Sequence, residues 1–285
     1  MSINHIMVIG AGTMGNGIAH VFAQTGHQVT LVDVDDARIQ AGINTISANI
    51  DRQVKKGILK TKEKKEALDR IHKSIDLKAS APECDLIIEA ATENFGIKTE
   101  LFQTLDKRAK RSAILASNTS SISITRLAGV TKRPEKVIGM HFFNPVPVMK
   151  LIEIVRGIDT SNKTYRSIKE LSEKLGKIPV EVNDSPGFLS NRVLMPMINE
   201  AIFCLHEGVA TAEDIDSVMK LGMAHPMGPL ALADFIGLDV CLYIMEVLHR
   251  DLGDDKHRPC PLLRRMVDAG HLGRKAGRGF YNYAT

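Results

Sequence analysis

The sequence has no tryptophan, and four tyrosines and nine phenylalanines supply its aromatic rings. No basic stretch is interleaved with those rings, so the stacking platform and phosphate-tracking stripe of an RNA- or DNA-binding protein are missing. Cysteine is scarce too: Cys84, Cys204, Cys241 and Cys260 lie far apart with no CxxC pair. That spacing argues against a zinc site or a disulfide framework, and thiols in apolar or helical surroundings point to a reducing compartment. There is no apolar run long enough to span a bilayer, and the first strand begins at Ile3, which leaves no room for a secretory leader. The expectation is a cytoplasmic protein without a metal, a membrane or a nucleic acid as partner.

What is present is enough apolar material for a packed core, 44% of 285 residues, in one or two domains. A net charge of +4 is mild and suits small anionic ligands at least as well as polymers. The chain is organised around its first strand, Ile3 to Ile9, and the loop Gly10-Ala11-Gly12-Thr13-Met14-Gly15 that leaves it for a helix running to Gly26. Gly10 allows a tight exit, Gly12 lets backbone approach a pyrophosphate, and Gly15 lets the helix pack closely on the sheet. The helix start then offers unpaired N–H groups to phosphate. Gln28 to Val32 reads as the second strand and ends on Asp33, where a carboxylate can accept from both hydroxyls of an adenosine ribose and would repel a 2′-phosphate. NAD is therefore favoured over NADP as cofactor.

The run Ile39, Ile43, Ile46, Ile50 and Val54 marks an amphipathic helix from Asp35 to about Lys56, stopped by Gly57. A second helix, about Thr61 to Ile71, returns from it as a helical hairpin. Its tip and return arm carry Lys55, Lys56, Lys60, Lys62, Lys64 and Lys65, which form either a solvated basic surface or a cluster facing a polyphosphate. Further strands are expected at Asp85 to Ala90, Ala113 to Ala116, Val137 to His141, Leu151 to Val155 and Ile178 to Val182, with helices from Ile97 to Ala109 and from Lys163 to Leu175. Polar residues gather at the C-terminal ends of these strands, where open α/β sheets bind ligands. Asp184-Ser185-Pro186-Gly187 marks a boundary. Beyond it the periodicity is helical: Phe188 to Glu207, Ala212 to Gly222, Leu230 to Leu252 and Leu262 to Ala269. Met195, Met197, Met219, Met223 and Met245 read as core or subunit-interface packing.

His141 ends an apolar strand, so its ring should emerge at the ligand edge, and imidazole, with an ordinary pKa of about 6.5, suits proton exchange with a hydroxyl near neutral pH. Taken alone, a strand-end histidine is as often structural. Glu153 interrupts the apolar Leu151 to Val155, where an acid is costly unless paired. An adjacent strand carrying His141 would supply that partner, and a carboxylate on imidazole fixes its tautomer and raises its basicity. Ser120 and Asn191 read either as helix caps or as donors to a developing alkoxide.

Long stretches of the chain resemble the short-chain 3-hydroxyacyl-CoA dehydrogenase family, in particular its bacterial members: VIGAGTMG, ILASNTSS, VIGMHFFNPVPVMKLIEIV, SPGF, AHPMGPL, DFIGLD and LGRKAGRGFY. The resemblance covers essentially the whole chain. It implies an α/β fold, with a Rossmann-type dinucleotide-binding domain over 1–184 carrying the hairpin insert and an all-helical domain over 185–285 that dimerises. It implies reversible hydride transfer between NAD and C3 of a 3-hydroxyacyl-CoA, with acetoacetyl-CoA and the (S)-3-hydroxybutyryl thioester as the pair. Position by position, it puts a catalytic serine at Ser120, the base at His141, its partner at Glu153 and a second carbonyl ligand at Asn191. Cofactor contacts fall on Asp33, Glu93, Lys98, Asn118, Ser120, Asn144 and Lys275, besides the glycines Gly10, Gly12 and Gly15. Coenzyme A contacts fall on Asn49, where family members often carry serine, and on Lys56. Lys275 lies in a glycine-rich tail and reads equally as part of a terminal turn.

Two rival functions share parts of this pattern. A dehydrogenase of free β-hydroxyacids would use the same halves but gives no reason for the lysine hairpin. A non-catalytic homologue, such as the family's lens crystallin member, would bind NADH without turnover, and the four intact polar positions speak against it.

Overall fold

The chain divides after Asp184 into two units, and the computed structural model describes residues 3–283. The first unit runs β1 (His5–Ile9), α1 (Thr13–Gln24), β2 (Gln28–Val32), α2 (Asp36–Lys55), α3 (Thr61–Asp69), β3 (Ile71–Ser74), α4 (Leu77–Ser80), β4 (Leu86–Glu89) and α5 (Phe95–Arg108). It continues with β5 (Ile114–Ser117), α6 (Ile124–Ala128), β6 (Val137–Phe142), β7 (Leu151–Arg156), α7 (Asn162–Lys174) and β8 (Ile178–Asn183). The eight strands form one sheet in the order β3-β2-β1-β4-β5-β6-β7-β8. Every neighbouring pair is parallel except β6 and β7.

Ile6, Met7 and Val8 on β1 and Leu86, Ile87 and Ile88 on β4 are all completely buried, which is why these strands read as continuous apolar runs and not as alternating ones. From β1 the chain moves to one side to build β2 and β3, then crosses back to place β4 on the other side. That reversal falls at β1 and β4, and the C-terminal ends of the strands flanking such a reversal are the place where doubly wound sheets take ligands.

Two departures from the sequence pattern have local causes. The hairpin's return helix α3 stops at Asp69, and Ile71, expected inside it, opens β3 instead, because its backbone pairs with Val29 of β2. With one apolar residue in Ile71-His72-Lys73-Ser74, this edge strand owes its existence to ladder bonds more than to pattern. The sheet is also mixed, because β7 runs antiparallel to β6. In the second unit, the single helix expected from Leu230 to Leu252 is two, as described next.

That unit is helical: α8 (Ser190–His206), α9 (Ala212–Gly222), α10 (Pro229–Ile236), α11 (Leu238–Leu252) and α12 (Pro261–Asp268). Gly237, at φ +107°, breaks the expected long helix into α10 and α11, a backbone state that L side chains rarely adopt. Both pieces feed one core with Met195, Ile202, Leu230, Leu238, Met245 and Leu263, so the apolar period runs through the break unaltered. Met223, in contrast, is exposed. No helix among the described residues is long and apolar enough to cross a membrane.

Two buried aspartates hold the end of this unit. Asp216 accepts from the amides of Leu230 (2.8 Å) and Ala231 (2.9 Å), capping α10 from outside, and from the Tyr281 hydroxyl (2.8 Å). Asp234 accepts from the amides of Phe280 and Tyr281 and from the Tyr283 hydroxyl, each at 3.0 Å. Burial, followed by the Asp216 carboxylate, pushes the Tyr281 hydroxyl well above the usual phenol range, so it stays a donor. Asp216→Ala would leave the amides of Leu230 and Ala231 without their acceptor, the Tyr281 hydroxyl keeping the Ala212 carbonyl at 3.0 Å, and should lower stability by about 2–4 kcal/mol, read as the drop in urea midpoint. A loss under about 0.5 kcal/mol, the scale of an ordinary surface change, would mean the clasp contributes nothing.

Candidate active site

The glycine turn after β1 is shaped by contact on two sides and left open on the third. A Cβ on Gly10 would stand 2.6 Å from the Ala90 carbonyl oxygen, and one on Gly15 only 1.7 Å from that of Gly10, so backbone fills both positions. Nothing lies within 4 Å of the place a Gly12 Cβ would take. A side chain there would occupy open space over the start of α1, whose first turn has no side-chain cap. Asp33 accepts from the Ala11 amide through Oδ2 and from the Val34 amide through Oδ1, both at 2.7 Å. The carboxylate is thus fixed beside the turn, and each oxygen keeps a lone pair for a further donor. An uncapped helix start, an open glycine and a tethered acid at the next strand end fit a pyrophosphate with an adenosine diol.

At the ends of β4 and β5 the polar residues bind one another. Glu89, fully buried, accepts from the Ala91 amide, the Lys98 ammonium and the Ser117 hydroxyl, each at 2.6 Å. Lys98 also stands 3.3 Å from Oε2 of Glu93. The other Glu93 oxygen accepts from the Thr119 and Ser121 hydroxyls (2.5 and 2.9 Å) and the amides of Ser120 and Ser121 (3.1 and 3.2 Å). Burial raises the Glu93 carboxyl, but Lys98 and these donors outweigh it and hold the group below the usual carboxylate range. Asn118 closes the row, its Oδ1 accepting from the Phe142 amide at 2.9 Å. Of the expected cofactor contacts, then, Glu93, Lys98 and Asn118 each have internal partners that fix their positions. Ser120 sits on the turn that Glu93 pins, and the cap of α6 is Ser123.

His141 and Glu153 face each other because β6 and β7 run antiparallel with these two residues in register. Nδ1 of His141 lies 2.7 Å from Oε2 of Glu153, and both side chains are buried. Cross-strand neighbours in an antiparallel ladder share a face, and a slip of one residue would put them on opposite faces. The Phe143 ring leans on the imidazole, centroids 4.6 Å apart. Asn144 follows, joined to Pro145 by a cis peptide.

Other expected site residues are dispersed. Asn49 and Lys56 lie on the last turns and the C-cap of α2, where Asn49 accepts from Arg52 and Lys56 is exposed. The lysine cluster is partly committed, since Lys64 pairs with Asp51 at 2.6 Å and Lys62 lies near Glu66. Asn191 and Lys275 belong to the helical unit: Asn191 in the first turn of α8, Lys275 paired with Asp239 at 2.6 Å. Among the described residues, no group of three or more His, Cys, Asp or Glu could hold a metal. Sequence reasoning passed over Glu89 and Thr119. A mark on Glu89 was available, an acid in an apolar strand as at Glu153, though at the end of β4 and not within it.

The chain is similar to known proteins over its whole length. Residues 5–185 match the family model described as 3-hydroxyacyl-CoA dehydrogenase, NAD binding domain, and residues 187–283 match 3-hydroxyacyl-CoA dehydrogenase, C-terminal domain. A Bacillus subtilis protein named a probable 3-hydroxybutyryl-CoA dehydrogenase is 58% identical over 99% of this chain and 98% of its own. The 3-hydroxybutyryl-CoA dehydrogenase of Bradyrhizobium diazoefficiens is 54% identical over 99% of this chain and 96% of its own. The crystal structure of (S)-3-hydroxybutyryl-CoA dehydrogenase from Ralstonia eutropha superposes with a TM-score of 0.97 at 51% identity, covering all of both chains. With both units matched and relatives more than half identical from end to end, the chain belongs to the 3-hydroxyacyl-CoA dehydrogenase family.

Proposed function

We propose that this chain catalyses reversible NAD-dependent hydride transfer between (S)-3-hydroxybutyryl-CoA and acetoacetyl-CoA. The observation that carries the reading is the buried His141–Glu153 pair at 2.7 Å, an acid–base couple at the end of a strand in a dinucleotide-binding sheet. NAD, once bound, supplies the nicotinamide that takes or returns the hydride of C3. With Nδ1–H directed at Glu153, His141 presents Nε2 as the atom that removes the hydroxyl proton in oxidation and returns it in reduction. Glu153 orients the ring and balances the charge of the imidazolium. Ser120, on the turn pinned by Glu93, and Asn191 hold the C3 oxygen through hydrogen bonds that strengthen as that oxygen gains charge.

The cofactor sits on Gly10, Gly12, Gly15 and Asp33, with Glu93, Lys98, Asn118, Ser120, Asn144 and Lys275 contributing. Asn49 and Lys56 receive the phosphorylated end of coenzyme A. Residues 1–184 act as the NAD-binding domain and 185–285 as the part through which two copies pair. Exposed Val193, Val218, Leu221 and Phe235 on the helical unit support that pairing. The protein works in the cytoplasm of its cell, in keeping with unpaired cysteines, of which burial pushes Cys84 and Cys241 up to about 12.

Purified protein should oxidise NADH with acetoacetyl-CoA faster than with longer 3-ketoacyl-CoAs; absence of turnover with any of them would refute the assignment. His141→Ala should lower turnover by about a hundredfold or more while NADH affinity stays near the parent's, and Glu153→Gln should follow it. Near-normal turnover in His141→Ala would remove the mechanism.

Lys56→Ala should raise KM for acetoacetyl-CoA with little change in kcat, because a contact far from C3 binds ground and transition states alike. Added salt should raise the same KM in the parent and raise it less in the variant. An acetoacetyl-pantetheine thioester, which lacks the nucleotide, should not respond to the substitution. Equal harm to both substrates would make Lys56 structural.

A further inference from the structure

Two carboxylates share one ammonium at the ligand edge of the first unit. Glu89 and Lys98 are sealed from solvent, whereas the Glu93 side chain keeps 29% of its surface exposed. An ordinary buried ion pair would close its charge account with one acid and one base. Here Lys98 bonds to Glu89 at 2.6 Å and stands 3.3 Å from Glu93, leaving one negative charge in surplus. The positive pole of α5, which begins at Phe95 beside Glu93, offsets a fraction of it.

The surplus has a definite neighbour if the dinucleotide reading holds, and the inference rests on that reading. Asp33 takes the adenosine end beyond β2, and the start of α1 takes the pyrophosphate between β1 and β4. The remaining half of the dinucleotide must then extend over the ends of β4 and β5, where Glu89, Glu93 and Ser117 lie. Its nicotinamide ring is cationic when oxidised and neutral when reduced. A fixed negative charge therefore acts on one form and not on the other.

We propose that Glu89, Lys98 and Glu93 form a charge cluster whose one surplus negative charge biases the site toward the oxidised cofactor. Glu89 and Lys98 are positioning residues in this scheme: their pairing sets how much charge Glu93 shows to the crevice. A unit charge within about 8 Å of the ring, at an effective dielectric of about 20 to 40, corresponds to a preference of about fivefold to thirtyfold.

The test is the ratio of the Kd values for NADH and NAD, measured by calorimetry on the full-length protein, with ADP-ribose, which has no nicotinamide, as a control. Glu89→Gln removes the surplus and should move the ratio about tenfold toward NADH. Glu93→Gln, at a partly exposed position, should move it the same way and decides the matter if Glu89→Gln fails to fold. Glu89→Gln combined with Lys98→Met restores one negative charge and should bring the ratio back to within about twofold of the parent. A merely structural cluster would weaken NAD, NADH and ADP-ribose together and leave the ratio unmoved, which would overturn the proposal. So would a ratio that stays shifted in the double variant. If the parent binds none of the three ligands, the dinucleotide reading itself falls; if it binds them with ratios indifferent to these substitutions, only the charge cluster does.

Discussion

The reversal of direction between β6 and β7 is the constraint on which the site depends. In a parallel pair the connection from β6 would have to cross the sheet, and the partner of His141 would come from a distant part of the chain. The antiparallel pair brings His141 and Glu153 together within one short segment. Phe142, one residue on, points to the other face and meets the Phe22 ring of α1 edge-on at 6.5 Å. Alternation thus gives β6 two tasks, the His141–Glu153 pair on one side and anchorage on the other. The connecting segment is itself held: Val146 packs against Gly17 of α1, and the buried Lys177 ammonium donates to the carbonyls of Val146 and Met149 at 2.5 and 2.7 Å. Burial lowers the Lys177 pKa, yet two carbonyl acceptors give its charge a place to rest.

Buried charge in the first unit follows one rule, which is that each acid lies where backbone or side-chain donors are already pointing. Glu89 ends a strand beside the turn at Ala91; Glu93 sits under a loop with four donors; Glu153 faces an imidazole across a ladder. Removing one partner from such a group costs about 3–5 kcal/mol, far more than an exposed pair is worth. These residues therefore fix the ends of β4, β5 and β6 to within narrow limits. A site that must hold a hydride donor and acceptor in contact needs that rigidity.

Much of this was legible in the sequence, for reasons that differ by element. The glycine turn was readable because its geometry leaves only glycine at Gly10 and Gly15, and Asp33 because the second strand ends there. His141 and Glu153 could be paired because an acid inside Leu151 to Val155 requires a partner and a neighbouring strand held one. The direction of that neighbour was not readable, since an apolar run looks the same in parallel and antiparallel sheets. β3 was hidden because edge-strand pairing is made by backbone, and the break at Gly237 because both flanking helices serve one core. Glu89 carried the same mark as Glu153 but lay at a strand end, where an acid excites less suspicion. The internal commitments of Lys98 and Glu93 could not be read at all, because a lysine on α5 meets β4 only after the sheet has formed.

Charge in the first unit is divided between two regions. The exposed lysines of the hairpin, among them Lys55, Lys56 and Lys60, stand in water, where they attract anions at range but bind each one weakly. The acids Glu89, at the end of β4, Glu93, just beyond it, and Glu153, within β7, lie mostly out of water, where screening is small and geometry is fixed. An exposed cation therefore acts over distance, whereas a buried acid acts on what lies directly against it. The mild net charge of +4 conceals that division, because positive and negative residues nearly cancel in the sum.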